Sequence, residues 1–220
     1  MIRNPAAGYI APFALYIAIL AAEHAAAIPP EWGLVIRSVV VTVAILWFSW
    51  PYLSLRPARP LASLLLGAGV FLIWIGPDLL FHYRHHWLFE NFLAGRAVST
   101  LAPAVKSRRA FLTLRVAVTA ILVPILEELF WRGWLMRWLI DREWMRIPLG
   151  TYARMSFWVA AVLFASEHGP YWEVGLLAGI AYNWWIIRTR NLADCMLAHA
   201  VTNALLAAYV ILQGQWQYWL

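Results

Sequence analysis

Thr119-Ala-Ile-Leu-Val-Pro-Ile-Leu-Glu-Glu-Leu-Phe-Trp-Arg132 reads as a membrane-spanning helix interrupted by two adjacent carboxylates, Glu127 and Glu128, with an arginine four residues after the second. A charged side chain at the middle of a membrane helix costs about 2.5–3.5 kcal/mol on insertion scales. Two in a row need a reason. Two further apolar segments each carry one histidine, His168 and His199. An acid pair, an arginine and two imidazoles inside a hydrophobic body are the raw material of a hydrolytic site.

Working outward, the rest of the chain supports a membrane setting. Of 220 residues, 63% are hydrophobic and only 13% charged, and the mean hydropathy is +0.67. A soluble domain of this length needs far more polar surface, so the reading is an all-α, polytopic transmembrane bundle. Fifteen tryptophans and nine tyrosines suit a protein with many membrane–water boundaries. The net charge of +6 comes almost wholly from arginine, with Lys106 the only lysine. Such charge orients loops towards the cytoplasm and anionic headgroups, and argues against a nucleic-acid partner. One cysteine, Cys195, excludes an internal disulfide. The apolar run from Arg3 to about Ile28 is too long for a signal h-region and reads as the first anchor.

Seven apolar stretches follow in order: Tyr9–Ile28, Leu34–Leu53, Leu61–Leu80, Phe111–Ile140, Tyr152–His168, Trp172–Ile187 and Leu192–Leu212. With one extra buried or re-entrant pass, about seven or eight spans are expected. They form one integral membrane domain over 1–220, with N-terminal helices over about 1–110 and a motif-bearing core over about 111–212. The long connection from Phe81 to Ala110 holds His82, His85, His86 and a basic cluster, and its centre, Trp87 to Arg96, is expected to lie as an interfacial helix. With the N-terminus inside, most arginines fall on the cytoplasmic side. Arg84, Arg96, Lys106, Arg108 and Arg109 do not.

At about 1.5 Å per helical residue, Glu127 lies about 20 Å from the cytoplasmic boundary, His168 about 24 Å and His199 about 14 Å. In a hydrocarbon layer of about 30 Å the three are therefore able to converge. Glu128 and Arg132 share a helix face and can form an ion pair, whereas Glu127 is turned about 100° away and stays free to take a proton. His199 and Asn203 also share a face and can donate two hydrogen bonds to one developing oxyanion. His168, just before Gly169-Pro170, stands at a hairpin tip where it and Glu127 can hold one water. Glu127, His168 and His199 are equally a candidate zinc ligand set.

In sequence, Glu127-Glu128-x-x-x-Arg132, Phe164-x-x-x-His168 and His199-x-x-x-Asn203 resemble the three ordered motifs of the CPBP family. These are the CAAX-protease and bacteriocin-processing intramembrane proteases, among them the Rce1-type prenyl-protein endopeptidases. The resemblance covers about half the chain, from Phe111 onward, and implies an Rce1-like core that cleaves peptide bonds. It implies that Glu127 and His168 activate water, that His199 with Asn203 forms the oxyanion hole, and that Glu128 and Arg132 support the site. Both a metalloprotease and a metal-independent glutamate mechanism are argued for the family. The compact size resembles the bacterial members, including the CAAX-protease-related proteins found with exosortase systems. The expected substrate is a peptide or a lipid-anchored protein C-terminus, met in a bacterial inner (plasma) membrane among its lipids.

Blander readings stand beside each motif. Glu127, Glu128 and Arg132 can be a structural ion-pair cluster, and His199 with Asn203 polar glue between helices. The rival to an enzyme is a non-catalytic scaffold, or an immunity or transport protein, built on the same bundle. A transporter is expected to show internal repeats, and the sequence has none. Glu23 with His24 can be a functional pair or a packing feature. Glu167 and Glu173 flank His168 as candidates for shaping the site. Cys195 and His199, four apart, are sterically able to pair, but a Cys–His mechanism leaves the buried glutamates without a role.

Overall fold

The computed structural model describes residues 4–99 and 101–219. Seven helices follow the seven apolar stretches. They are α1 (Pro5–Ala25), α2 (Pro30–Tyr52), α3 (Pro60–Phe81), α4 (Arg109–Trp138), α5 (Arg154–Ser166), α6 (Trp172–Thr189) and α7 (Leu192–Gln213). Starts obey local chemistry. Asn4 caps α1 by accepting the Ala6 amide at 3.0 Å, Asn191 caps α7 by accepting the Ala193 amide at 2.8 Å, and prolines open α1, α2 and α3.

The protein is an all-α integral membrane bundle. Among the described residues, five helices are long and apolar enough to cross a membrane: α1, α2, α3, α4 and α7. α5 and α6, which the sequence also reads as spans, form a hairpin outside that set of five, and they expose Met155, Trp158, Val162, Leu163, Leu177 and Trp184. α5 has 13 residues, about 20 Å, short of a 30 Å hydrocarbon layer. α6 has 18, but buries Gly175, Gly179, Tyr182 and Asn183 instead of a continuous aliphatic run. Gly175 and Gly179, four apart, let α6 approach α5 closely; a Cβ at Gly179 would stand 3.2 Å from the Ala161 carbonyl. Across the bundle, Gly67 of α3 leaves room for the backbone of α7 at Ala198. Thr202 bridges the same two helices by donating to the Gly67 carbonyl at 2.9 Å. The first hairpin is pinned by Glu23 of α1 and Arg37 of α2 at 3.0 Å, which gives Glu23 a packing role.

The connection after α3 departs from expectation. Residues 87–96 form turns closed by an isolated bridge between Asn91 and Gly95, not an interfacial helix, and the only helical piece described before α4 is the turn Pro103–Lys106. Among the described residues of this connection no helix is long enough for a further pass. Local chemistry explains it: Asn91 Oδ1 accepts the amides of Leu93 and Ala94, and Gly95 takes φ +83°. Arg84 ties this connection to the start of α6. It is 3% exposed, pairs with Glu173 at 2.7 Å and Asp78 at 3.9 Å, and donates to the Pro170 carbonyl at 2.6 Å. Tyr83 also donates to Glu173, at 2.9 Å; burial together with that carboxylate pushes its phenol up to about 12. Arg108 pairs with Glu31 at 3.0 Å. Two of the five misplaced basic residues are thus neutralised, which weakens the conflict with the charge rule.

Candidate active site

Pro124 shapes the helix that carries the acid pair. α4 widens into π-helical turns over Val118–Leu122 and Leu129–Leu135, on either side of Val123–Glu128. Such turns often mark functional sites. In the first of them the Val123 amide bonds back to the Val118 carbonyl. The next amide in that register would serve Thr119, but residue 124 is proline and has none. The orphaned Thr119 carbonyl is taken instead by the Asn203 side chain, which donates to it at 2.8 Å. One Asn203 N–H is therefore spent on the backbone, and only the second is left for a bound molecule.

Glu128 and Arg132 form the expected ion pair, 3.0 Å apart and fully buried. The guanidinium is satisfied all round. Nε donates to Asn183 Oδ1 at 2.9 Å, Nη2 to the Gly179 carbonyl at 3.4 Å, and its face lies 4.6 Å from the Phe164 ring. Asn183 in turn donates to the Phe157 carbonyl at 2.8 Å. The same Glu128 oxygen that receives Arg132 also receives His199 Nδ1 at 3.0 Å. Tyr182 stacks on that imidazole at 5.0 Å and 23°, and donates to Thr202 at 2.8 Å. Glu128 and Arg132 are thus a buried strut that orients His199.

Glu127 points away from the strut, as its helical offset requires. It lines a cavity of about 170 Å³ with His168, His199 and Asn203, walled by Trp74, Phe164, Tyr182, Tyr218 and Trp219 among others. Its Oε2 is buried and has no hydrogen-bond partner. His168 Nδ1 lies 2.8 Å from the Phe164 carbonyl, one turn back on α5. A carbonyl only accepts, so Nδ1 carries the proton and Nε2 keeps its lone pair. Gly175 gives that ring its space: a Cβ there would stand 2.9 Å from His168 Nδ1.

The structure places four of the six expected residues on one cavity and the other two directly behind it. The remaining candidates separate. Glu167 lines the outer mouth with His168, while Glu173 belongs to the Arg84 network and not to the cavity. The Cys195 thiol, fully buried, faces the Tyr182 carbonyl at 3.7 Å and not His199. His85 pairs with Glu90 at 3.1 Å on the surface. Among the described residues no three His, Cys, Asp or Glu side chains gather closely enough to hold a metal ion. Glu127, His168 and His199 line one cavity without gathering into such a group.

Sequence reasoning missed Asn183, Tyr182, Thr119 and Trp74. Asn183 gave a signal, an amide in an apolar helix, which in a membrane needs a partner. Trp74 gave none, because it is one of fifteen tryptophans.

Neither the curated proteins nor the solved structures compared give a match. The model of the family described as type II CAAX prenyl endopeptidase, Rce1-like, matches residues 109–205, a stretch that holds all six candidate residues. From its buried acid pair to its paired histidine and asparagine, the stretch 109–205 therefore reads as an Rce1-like domain, similar to the type II CAAX prenyl endopeptidases.

Proposed function

We propose that the cavity hydrolyses a peptide bond with one water, activated by Glu127 and oriented by His168, without a metal. The observation that carries the reading is the unpartnered, buried Glu127 oxygen on a cavity shared with two imidazoles. A water held there donates one proton to Glu127 and the other to His168 Nε2. Its oxygen attacks the peptide carbonyl while Glu127 takes the first proton. The developing oxyanion accepts from the second Asn203 N–H and from His199 Nε2–H. His199 donates in this way only as imidazolium, because its Nδ1 proton already serves Glu128.

The C–N bond then breaks, the leaving amine takes the proton from Glu127, and the new carboxyl group departs. A cavity of about 170 Å³ takes about one ring-sized group, so any isoprenoid on the substrate lies outside it. The substrate is a peptide or a lipid-anchored protein C-terminus, processed in the plasma membrane of a bacterium.

Purified protein and its Glu127→Gln variant would be assayed on quenched-fluorescence peptides, with and without a farnesylated C-terminal cysteine, and with and without a zinc chelator. General acid–base catalysis contributes about 10²–10⁴-fold, so the variant is expected to lose at least 10²-fold. The parent is expected to be indifferent to the chelator. Equal cleavage by parent and variant would overturn the reading.

A further inference from the structure

The catalytic wall of the cavity comes from α4, α5 and α7. The opposite wall comes from outside the family-matched stretch: Trp74 of α3, and Tyr218 and Trp219 beyond α7. We propose that Tyr218 and Trp219 select the substrate side chain next to the cleaved bond, admitting one uncharged, apolar group up to about the bulk of a phenyl ring. The inference rests on the hydrolytic reading and adds a specificity to it.

The segment 215–219 is built back into the site. Gly214 ends α7 at φ +66°, a left-handed position that suits glycine, and the Gln215 amide bonds to the Val210 carbonyl at 3.1 Å. The chain reverses there, and one turn of 3₁₀ helix over Trp216–Tyr218 brings two rings onto the cavity. They are fixed in place. Tyr218 is 7% exposed and Trp219 5%. Tyr171 donates to the Gln217 carbonyl at 3.1 Å, Tyr218 donates to Asp78 at 3.4 Å, and the Arg115 guanidinium lies 4.9 Å from the Trp219 ring. Rings held from α3 and α4, on a segment tied by Tyr171 to the hairpin turn before α6, set a boundary that a substrate cannot easily push aside.

Size and polarity follow. A cavity of about 150 Å³ holds a benzene-sized molecule, and this one is about 170 Å³. Its aromatic wall leaves a charged side chain without a partner on that side, which is costly.

Peptides varied at each position around the cleaved bond, with alanine, leucine, phenylalanine or naphthylalanine, would be tested on parent, Trp219→Ala and Trp219→Leu. Both kcat/KM and affinity would be read, the latter in the Glu127→Gln background. At one position the parent is expected to favour leucine and phenylalanine over naphthylalanine. Trp219→Ala is expected to shift that ratio at least about tenfold towards naphthylalanine, with Trp219→Leu between. Unchanged size preference in both variants, in turnover and in binding, would overturn the proposal. Size-selective binding that shifts with Trp219 but is followed by no turnover would uphold this wall and sink the hydrolytic reading instead.

Discussion

Asn203→Leu tests whether Pro124 and Asn203 are one structural unit. The Thr119 carbonyl has lost its helical donor to Pro124 and takes the Asn203 amide at 2.8 Å. Leucine is similar in size and cannot donate. A buried carbonyl left unpaired costs about 1–3 kcal/mol, and membrane hydrogen bonds measured by double-mutant cycles average about 0.6 kcal/mol. About 1–2 kcal/mol is therefore expected for Asn203→Leu, read by reversible unfolding in mixed micelles. Pro124→Ala returns the missing amide to the register of Thr119. In that background Asn203→Leu is expected to cost less than about 0.5 kcal/mol, because the carbonyl now has a helical donor. Activity should behave differently. Loss of one oxyanion donor costs about 10²–10³-fold in kcat, and Pro124→Ala does not restore it. An equal stability cost in both backgrounds would refute the coupling, and recovery of activity with Pro124→Ala would refute the oxyanion role.

Arg132→Met strips Glu128 of its guanidinium while both sites stay buried; about 3–5 kcal/mol of stability should be lost in the same unfolding assay, and largely recovered in Glu128→Gln/Arg132→Met. Gly175→Ala places a Cβ 2.9 Å from His168 Nδ1; displacement of the ring should lower kcat about 10²-fold with little change in unfolding midpoint. Glu173→Gln removes a negative charge that opposes the Tyr83 phenolate. Tyr83, pushed up to about 12 by burial first and Glu173 second, should titrate at lower pH, yet still above the ordinary value of about 10 because burial remains. Phenolate absorbance against a Tyr83→Phe control reads it.

The seven helices were legible because hydrophobic runs and prolines are local properties of the chain. Their observed ends fall within a few residues of the apolar boundaries. Residues 87–96 were misread because apolar Trp87, Leu88, Phe89, Phe92 and Leu93 look amphipathic, while the turn chemistry of Asn91 and Gly95 decides the backbone. Glu173 was misplaced because its partner, Arg84, lies 89 positions away.

By itself, the sequence determined the membrane-embedded helical class, the six polar residues, and the split between Glu128 facing Arg132 and Glu127 facing elsewhere. Those follow from composition and from a helical period of 3.6 residues, which act over a few neighbours. Only the tertiary structure decided that Glu128 holds His199 as well as Arg132, that Asn203 spends one N–H on the Thr119 carbonyl, and that Trp74, Tyr218 and Trp219 close the cavity. Each of those contacts joins separate elements of the fold, where the approach is set by glycines, by a proline's missing amide and by a chain reversal after α7. No local pattern encodes such meetings, because they depend on where the packed helices bring distant side chains.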